Sequence, residues 1–304
     1  MIFQNVQAKG GFLLGALLLA CAPGRAQHKL ELQQALPLDG PVLVQPSGLA
    51  WDGKHLLLIS SFHDEEIFKV ELQADKAAFK EQVHIRMPKD AAGMKMTWRG
   101  MASDLGGNLY LASGTACRIL KVESDGDAEW EGPALLEAGA EKGLFSGENS
   151  GLEGIAVAGK RKFVVAASRE PRGLLQVDMT GSKPLITAFV SDKSKVPLPA
   201  GRRKPDFSDL AEEKGQLWAL SANADAVFQL NWNGHEYMEG EFWTFGHVSN
   251  DPKYRYGIKM GLARGLAMDG QSIYVVLDNK GVGRQADVND KRPLLLVFKR
   301  PTGV

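Results

Sequence analysis

A short pattern recurring at near-constant spacing, strand-length segments between its copies and a scarcity of helical stretches predict an all-β fold, a β-propeller. The pattern is a polar residue, Gly, a large apolar residue and then Ala. Its copies are Ser47-Gly48-Leu49-Ala50, Arg99-Gly100-Met101-Ala102, Glu153-Gly154-Ile155-Ala156, Ser208-Asp209-Leu210-Ala211 and Arg264-Gly265-Leu266-Ala267. Asp209 takes the glycine place in the fourth copy, and successive copies lie 52, 54, 55 and 56 residues apart. A period of this size filled with strand-like contents signals a repeat architecture, and β-helix repeats are much shorter.

The elements follow in order. Residues 28–32 alternate and suit a short strand. In the first repeat, strands are expected over 43–51, 55–60, 67–72 and 81–87, with Asp52-Gly53-Lys54 as a hairpin turn. The second gives 100–103, 108–112, 118–123 and 128–136, with the turn Asp104-Leu105-Gly106-Gly107. The third gives 152–158, 162–167, 174–178 and 185–190, and the fourth 208–211, 216–220, 227–232 and 236–245. The fifth has only 264–268, 272–277 and 293–299, around the turn Asp269-Gly270. Residues 28–32 can supply the missing outer strand, which closes the ring and leaves no open edge. The expectation is one propeller domain over 28–304 with five blades, or six if two short ones have been merged, closed by an N-terminal strand.

The connections are uneven. Those into the innermost strands are long, at 88–98, 137–151, 191–207 and 246–263, and those between second and third strands include the long 278–292. Both kinds emerge on one face of a blade, and insertions gathered on one face of a repeat array mark its binding face.

Residues 1–27 read as an export signal and short tether. Lys9 precedes the apolar run 11–20, and Cys21 follows at once. Leu18-Leu19-Ala20-Cys21 resembles the lipobox of bacterial lipoproteins, whose cysteine is acylated and becomes the N-terminus. Ala22 then permits sorting to the outer membrane, since that family's retention signal is an Asp. The rival is a simple cut after Ala26. Acyl chains would hold the protein at a membrane, each buried methylene adding about 0.8 kcal/mol. The expected location is the periplasmic or surface side of a bacterial membrane, with contact through the N-terminal lipid only. Cys117 is then unpaired and is read as a packed core thiol. The 36 basic residues balance 36 acidic ones, so no global field points to nucleic acid.

The residue before each repeat glycine falls at the mouth of the central channel. These are Ser47, Arg99, Glu153, Ser208 and Arg264. Two guanidiniums near one carboxylate either pair with it and hold the blades in register, or leave positive charge free for an anionic ligand. The run Arg202-Arg203-Lys204, on the same face, leans toward the anion.

Asn149-Ser150-Gly151-Leu152-Glu153-Gly154-Ile155-Ala156 followed by Ser168-Arg169-Glu170-Pro171 resembles the third blade of SdiA-regulated-domain (YjiK-like) exported propellers. Asp206-Phe207-Ser208-Asp209-Leu210 with Leu217-Trp218-Ala219-Leu220-Ser221 is similar to the blade that follows. The chain departs from that pattern at Asp209, and at Arg99 and Arg264, where the family often has acidic residues. Phytase-esterase-like and gluconolactonase-type propellers share the motifs more distantly. The latter hold a divalent cation at the channel mouth with Glu, Asn and Asp. That likeness implies a Ca²⁺ site here from Glu153, Asn149, Asn223 and Asp278, with Asn279 beside them.

Other chemistry lacks its residues. No Gly-x-Ser-x-Gly elbow and no His-Glu-x-x-His occurs, and the six histidines have no zinc spacing. Trp51, Trp98, Trp218, Trp232 and Phe228 recur at blade-like intervals and are read as inter-blade packing. Besides a scaffold for envelope assembly with an inert channel, two functions stay open. One is an exported, lipid-anchored propeller binding a small or peptidic anionic ligand, or an envelope partner protein. The other is a Ca²⁺-dependent ester, lactone or phosphoester hydrolase with Glu153 as its catalytic candidate.

Overall fold

The computed structural model describes residues 28–104, 106–147, 150–202 and 204–302. The leader with Cys21, and Asn149 and Arg203, lie outside the described residues.

Each repeat folds as an antiparallel meander. The first comprises β3 (Pro46–Trp51), β4 (Leu56–Ser60), β5 (Glu66–Leu72) and β6 (Ala77–His84), after the N-terminal β1 (His28–Lys29) and β2 (Glu31–Asp39). The second comprises β7 (Trp98–Ser103), β8 (Leu109–Ser113), β9 (Arg118–Val122) and β10 (Ala128–Trp130). The third runs through β11 (Leu152–Gly159), β12 (Lys162–Ala167), β13 (Gly173–Asp178) and β14 (Leu185–Val190). The fourth runs through β15 (Asp209–Glu213), β16 (Gln216–Ser221), β17 (Ala226–Trp232) and β18 (Tyr237–Thr244). Last come β19 (Ala263–Met268), β20 (Ser272–Leu277) and β21 (Leu294–Lys299).

The architecture is a β-propeller. The inner strands pack side by side in the cyclic order β3, β7, β11, β15, β19 and back to β3. Hydrophobic clusters lie between successive sheets, so each sheet needs both neighbours to bury its faces. The second strand of a meander therefore reads as a continuous apolar run. In β4, β8 and β20 every residue is buried, while the outer β6 and β14 are largely exposed.

The N-terminal strand closes the ring. β2 pairs antiparallel with β21 from Glu31↔Lys299 to Pro37↔Leu294, then parallel with β6 at Leu38↔Ala77 and Asp39↔Ala78. Thus it reaches Asp39 rather than stopping at residue 32, and β6 begins at Ala77 rather than 81. The same parallel stitch joins outer edges at His28↔Trp243, Lys29↔Thr244 and Arg86↔Asp127.

The fourth strand of the second repeat is shorter than expected. Gly132 at φ 80° and then Pro133 end the ladder after Trp130, and α1 (Leu136–Ala140) follows. A second short helix, α2 (Gly246–Ser249), starts the connection after β18. Trp98, Trp218 and Phe228 are fully buried between sheets, whereas Trp51 is partly exposed and Trp232 is 45% exposed. Trp51 still packs between sheets, against the cluster that holds Tyr274 of β20, and Trp232 lies against Phe189 and Tyr237 at the outer edge. Among the described residues no helix is long and apolar enough to cross a membrane.

Candidate functional site

The inner hairpins carry a bulge at the repeat pattern. Pro46 pairs with Ser60 and Gly48 with Ile59, so Ser47 has no residue opposite. Arg99 is skipped in the same way between Trp98↔Ser113 and Gly100↔Ala112, and Arg264 between Ala263↔Leu277 and Gly265↔Val276. In β11 the shift spans Glu153 and Gly154. A bulge re-aims the extra side chain and adds local twist. These side chains thus leave the ladder at equivalent points, on neighbouring strands. Because β3 lies between β7 and β19, Ser47 is flanked by Arg99 on one side and Arg264 on the other.

The glycines have a separate cause. A Cβ on Gly100 would lie 2.5 Å from Glu153 O, one on Gly154 2.4 Å from Leu210 N, and one on Gly265 2.8 Å from Leu49 N. The inner strands meet backbone to backbone here, and only glycine permits the approach. Asp209 fills the remaining place. It is fully buried, and its carboxylate accepts the N–H of Leu266 at 2.8 Å and of Leu210 at 2.9 Å, with Leu49 N–H as a third donor. Complete burial holds its carboxyl well above the usual range, against those three donors and with help from the charge of Glu153. The glycines and Asp209 together bring adjacent inner strands into backbone contact at this level.

The rim on the loop side has unsatisfied chemistry. Among the described residues Arg99, Glu153 and Arg264 have no ion pair and no side-chain hydrogen bond. Ser47 Oγ and Arg264 Nε are buried without a partner. Pairing of the arginines with Glu153 to lock the sheets is therefore not what the structure contains. Ser208 differs: its Oγ donates to Leu220 O at 3.2 Å. Nearby Asp206 is raised by burial, against hydrogen bonds from Ser221 Oγ and Asn223 N and the charges of Arg264 and Arg172.

The model of the family described as SdiA-regulated matches residues 118–278. The chain belongs to the SdiA-regulated family. Its match takes in Glu153, Ser208, Asp209 and Arg264 and begins after Ser47 and Arg99. No curated protein matches the sequence. Among solved structures, Myxococcus xanthus glutaminyl cyclase is similar at 13% identity and TM-score 0.54, over 90% of this chain and 99% of that one. The PQQ-bound aldose sugar dehydrogenase of Streptomyces coelicolor is similar at 14% identity and TM-score 0.47, over 90% and 98%. At this identity the likeness to the cyclase supports the fold of this SdiA-regulated protein and not a reaction.

Of the described side chains named for a cation in this SdiA-regulated chain, only Asp278 has its oxygens engaged, while Asn223 and Asn279 are held through their amide nitrogens. Asn223 Nδ2 donates to Lys204 O at 3.0 Å. Asp278 forms an ion pair with Lys280 and accepts its backbone N–H, and Asn279 Nδ2 donates to Val282 O and Lys291 O. No cluster of three His, Cys, Asp or Glu suited to a metal occurs among the described residues. In the basic run, Arg202 pairs with Asp225 at 3.2 Å.

Two features were hidden from sequence reasoning. Arg172 is 1% exposed, directly after the Ser168–Pro171 motif. It donates to Glu239 at 2.5 Å and to the carbonyls of Ser191, Lys193 and Asp206, with its guanidinium 4.4 Å from the Phe207 ring. It staples the 191–207 connection to the body. The second is a cavity of about 1270 Å³ on the opposite face, among the short inner-hairpin turns. Its lining starts one residue past the repeat glycines, at Leu49, Met101, Ile155, Leu210 and Leu266, and ends at turn residues such as Asp52, Asp104 and Asp269. The long connections lie on one face, and this cavity opens on the other.

Proposed function

We propose that this SdiA-regulated propeller is an exported, lipid-anchored binding module that captures the anionic group of a small or peptidic ligand at the Ser47–Arg99–Arg264 rim. One observation carries the reading: two arginines flank a buried serine, and among the described residues neither arginine has an ion pair or side-chain hydrogen bond, while Ser47 Oγ and Arg264 Nε are buried without a hydrogen-bond partner. Buried polar groups are nearly always satisfied, so orphaned donors converging on one place point to a ligand that supplies the acceptors. Arginine suits carboxylate or phosphate because its fork can donate two parallel hydrogen bonds. Glu153, next along the ring, limits the excess positive charge and favours a ligand bringing a donor of its own.

A cation at Glu153 would have to draw Asp278 from Lys280 and would sit between the two arginines, which repel it. The anion reading therefore stands ahead of the calcium-dependent hydrolase. Anchoring rests on Cys21 and the apolar run before it. Calorimetric titration with inorganic phosphate and with glutarate tests the site. Binding to the intact chain and its loss in the Arg99→Ala, Arg264→Ala double variant is the expected result. Equal binding by both proteins would refute it. A Cys21→Ser variant expressed with its leader should leave the membrane fraction.

A further inference from the structure

We propose that the cavity on the turn-rich face is a second, separate binding site, for an organic ammonium ligand with an apolar body. The inner hairpins place their turns around its mouth, and Asp52, Asp104, Glu212 and Asp269 each bring a carboxylate from a different repeat. The hairpin between β11 and β12 brings Lys160 instead, exposed and without a partner among the described residues.

The four carboxylates are held by hydrogen bonds but not neutralised by Lys or Arg. Asp104 accepts from Gly106 N, Asn108 N, Asn108 Nδ2 and the Tyr110 hydroxyl. Asp269 accepts from Gln271 N, Ser272 N and the Tyr274 hydroxyl at 2.7 Å. Asp52 accepts from Lys54 N, His55 N and the His55 ring, and Glu212 from Gly215 N. Burial raises the carboxyls of Asp52 and Asp104, but these donors outweigh it and leave both below the usual range, so the charge persists. The other acids of the lining are already compensated, Glu129 by Lys121, Glu131 by Arg161 and Glu213 by Lys214. Four carboxylates without a Lys or Arg partner, Asp52 alone lying 3.2 Å from the His55 ring, thus face one lysine that has no partner among the described residues.

The walls add the apolar half. Trp51 is partly exposed in the lining, and its ring lies nearly parallel to Tyr274 with centroids 6.3 Å apart. Ala102, Val157 and Ala211 are likewise partly exposed there. An indole face attracts an ammonium group, and carboxylates at the mouth of a low-dielectric recess concentrate cations within it. The repeat glycines and Asp209 sit one residue beyond the innermost lining, where neighbouring strands meet backbone to backbone.

The test is calorimetric titration of the full chain with benzyltrimethylammonium, with benzyl alcohol and phenylacetate as neutral and anionic counterparts. The ammonium should bind at least about tenfold more tightly than either, and added salt should weaken it. Trp51→Ala should weaken binding about tenfold, and Glu212→Gln a few-fold. Lys160→Glu, at an exposed position that leaves folding alone, should strengthen it a few-fold. The Arg99→Ala, Arg264→Ala variant should bind the ammonium as the wild type does, which separates this cavity from the rim. No preference for the ammonium, or no response to Lys160→Glu, would overturn the proposal.

Discussion

The Asp209 carboxylate accepts the backbone N–H of Leu266 at 2.8 Å, joining two inner strands that come from different repeats. The ladder itself cannot satisfy this N–H, because the inner edge of each sheet has no further strand to pair with. Where the other repeats use glycine to let strands touch, the fourth uses a side chain to cap the exposed donors. Asp209 is therefore expected to govern how stability depends on pH. Its carboxyl is raised in the folded chain, so the folded state holds this proton more tightly than the unfolded one. That contribution is complete below the unfolded carboxyl range, about pH 4, and is lost as pH rises through the higher folded value. Asp209→Asn removes the titrating group and should flatten this part of the profile, while costing stability at every pH because its amide nitrogen cannot accept one of these N–H groups. Thermal melts of both proteins across the acid-to-neutral range check it.

The glycine contacts give a second expectation. Gly100→Ala puts a methyl group 2.5 Å from the Glu153 carbonyl oxygen, with only backbone to give way. Overpacking of this kind costs about 1–3 kcal/mol. Gly53→Ala is a poor control because its φ is +93°, whereas Gly270 has open space and no positive φ. Urea unfolding should show a loss for Gly100→Ala and little change for Gly270→Ala.

Much of this organisation was legible in the sequence, for a physical reason. The repeat glycines recur because every inner strand meets the same steric limit, so Ser47, Arg99, Glu153 and Arg264 could be placed on one rim from spacing alone. The outer strands were less legible, because pairing between repeats sets their length. β2 runs on to Asp39 only because β21 and then β6 are there to receive it. The partners of Asp209 lie 57 residues ahead at Leu266 and in the first repeat at Leu49, beyond any local pattern. The turn aspartates read as hairpin punctuation, which they are. That they also ring a cavity depends on closure of the whole fold.

Arg172 and Glu239 form a buried pair with side chains 1% and 5% exposed. Removing one partner of such a pair strands a buried charge, at a cost of about 3–5 kcal/mol. Glu239→Ala should lose stability on that scale. It should also free the 191–207 connection, because Glu239 accepts from Ser194 Oγ and Lys195 N as well. Denaturant unfolding gives the first quantity and limited proteolysis the second. A Glu239→Ala chain as stable as wild type would remove the staple from the account.

Cys117 is 6% exposed, and burial pushes its thiol up despite a hydrogen bond from Leu152 N–H. A protonated, covered thiol reacts slowly. Labelling of native protein by a disulfide reagent should be slow and should accelerate sharply on unfolding. Fast labelling of the folded chain would show the site open.

The rim is tested most directly by anomalous diffraction from crystals grown with selenate, a heavy mimic of a tetrahedral oxyanion. The account predicts a selenium peak between Arg99 and Arg264, within hydrogen-bond reach of Ser47 Oγ, and absent in the Arg99→Ala, Arg264→Ala variant. A rim without a peak while selenate occupies other sites would contradict it.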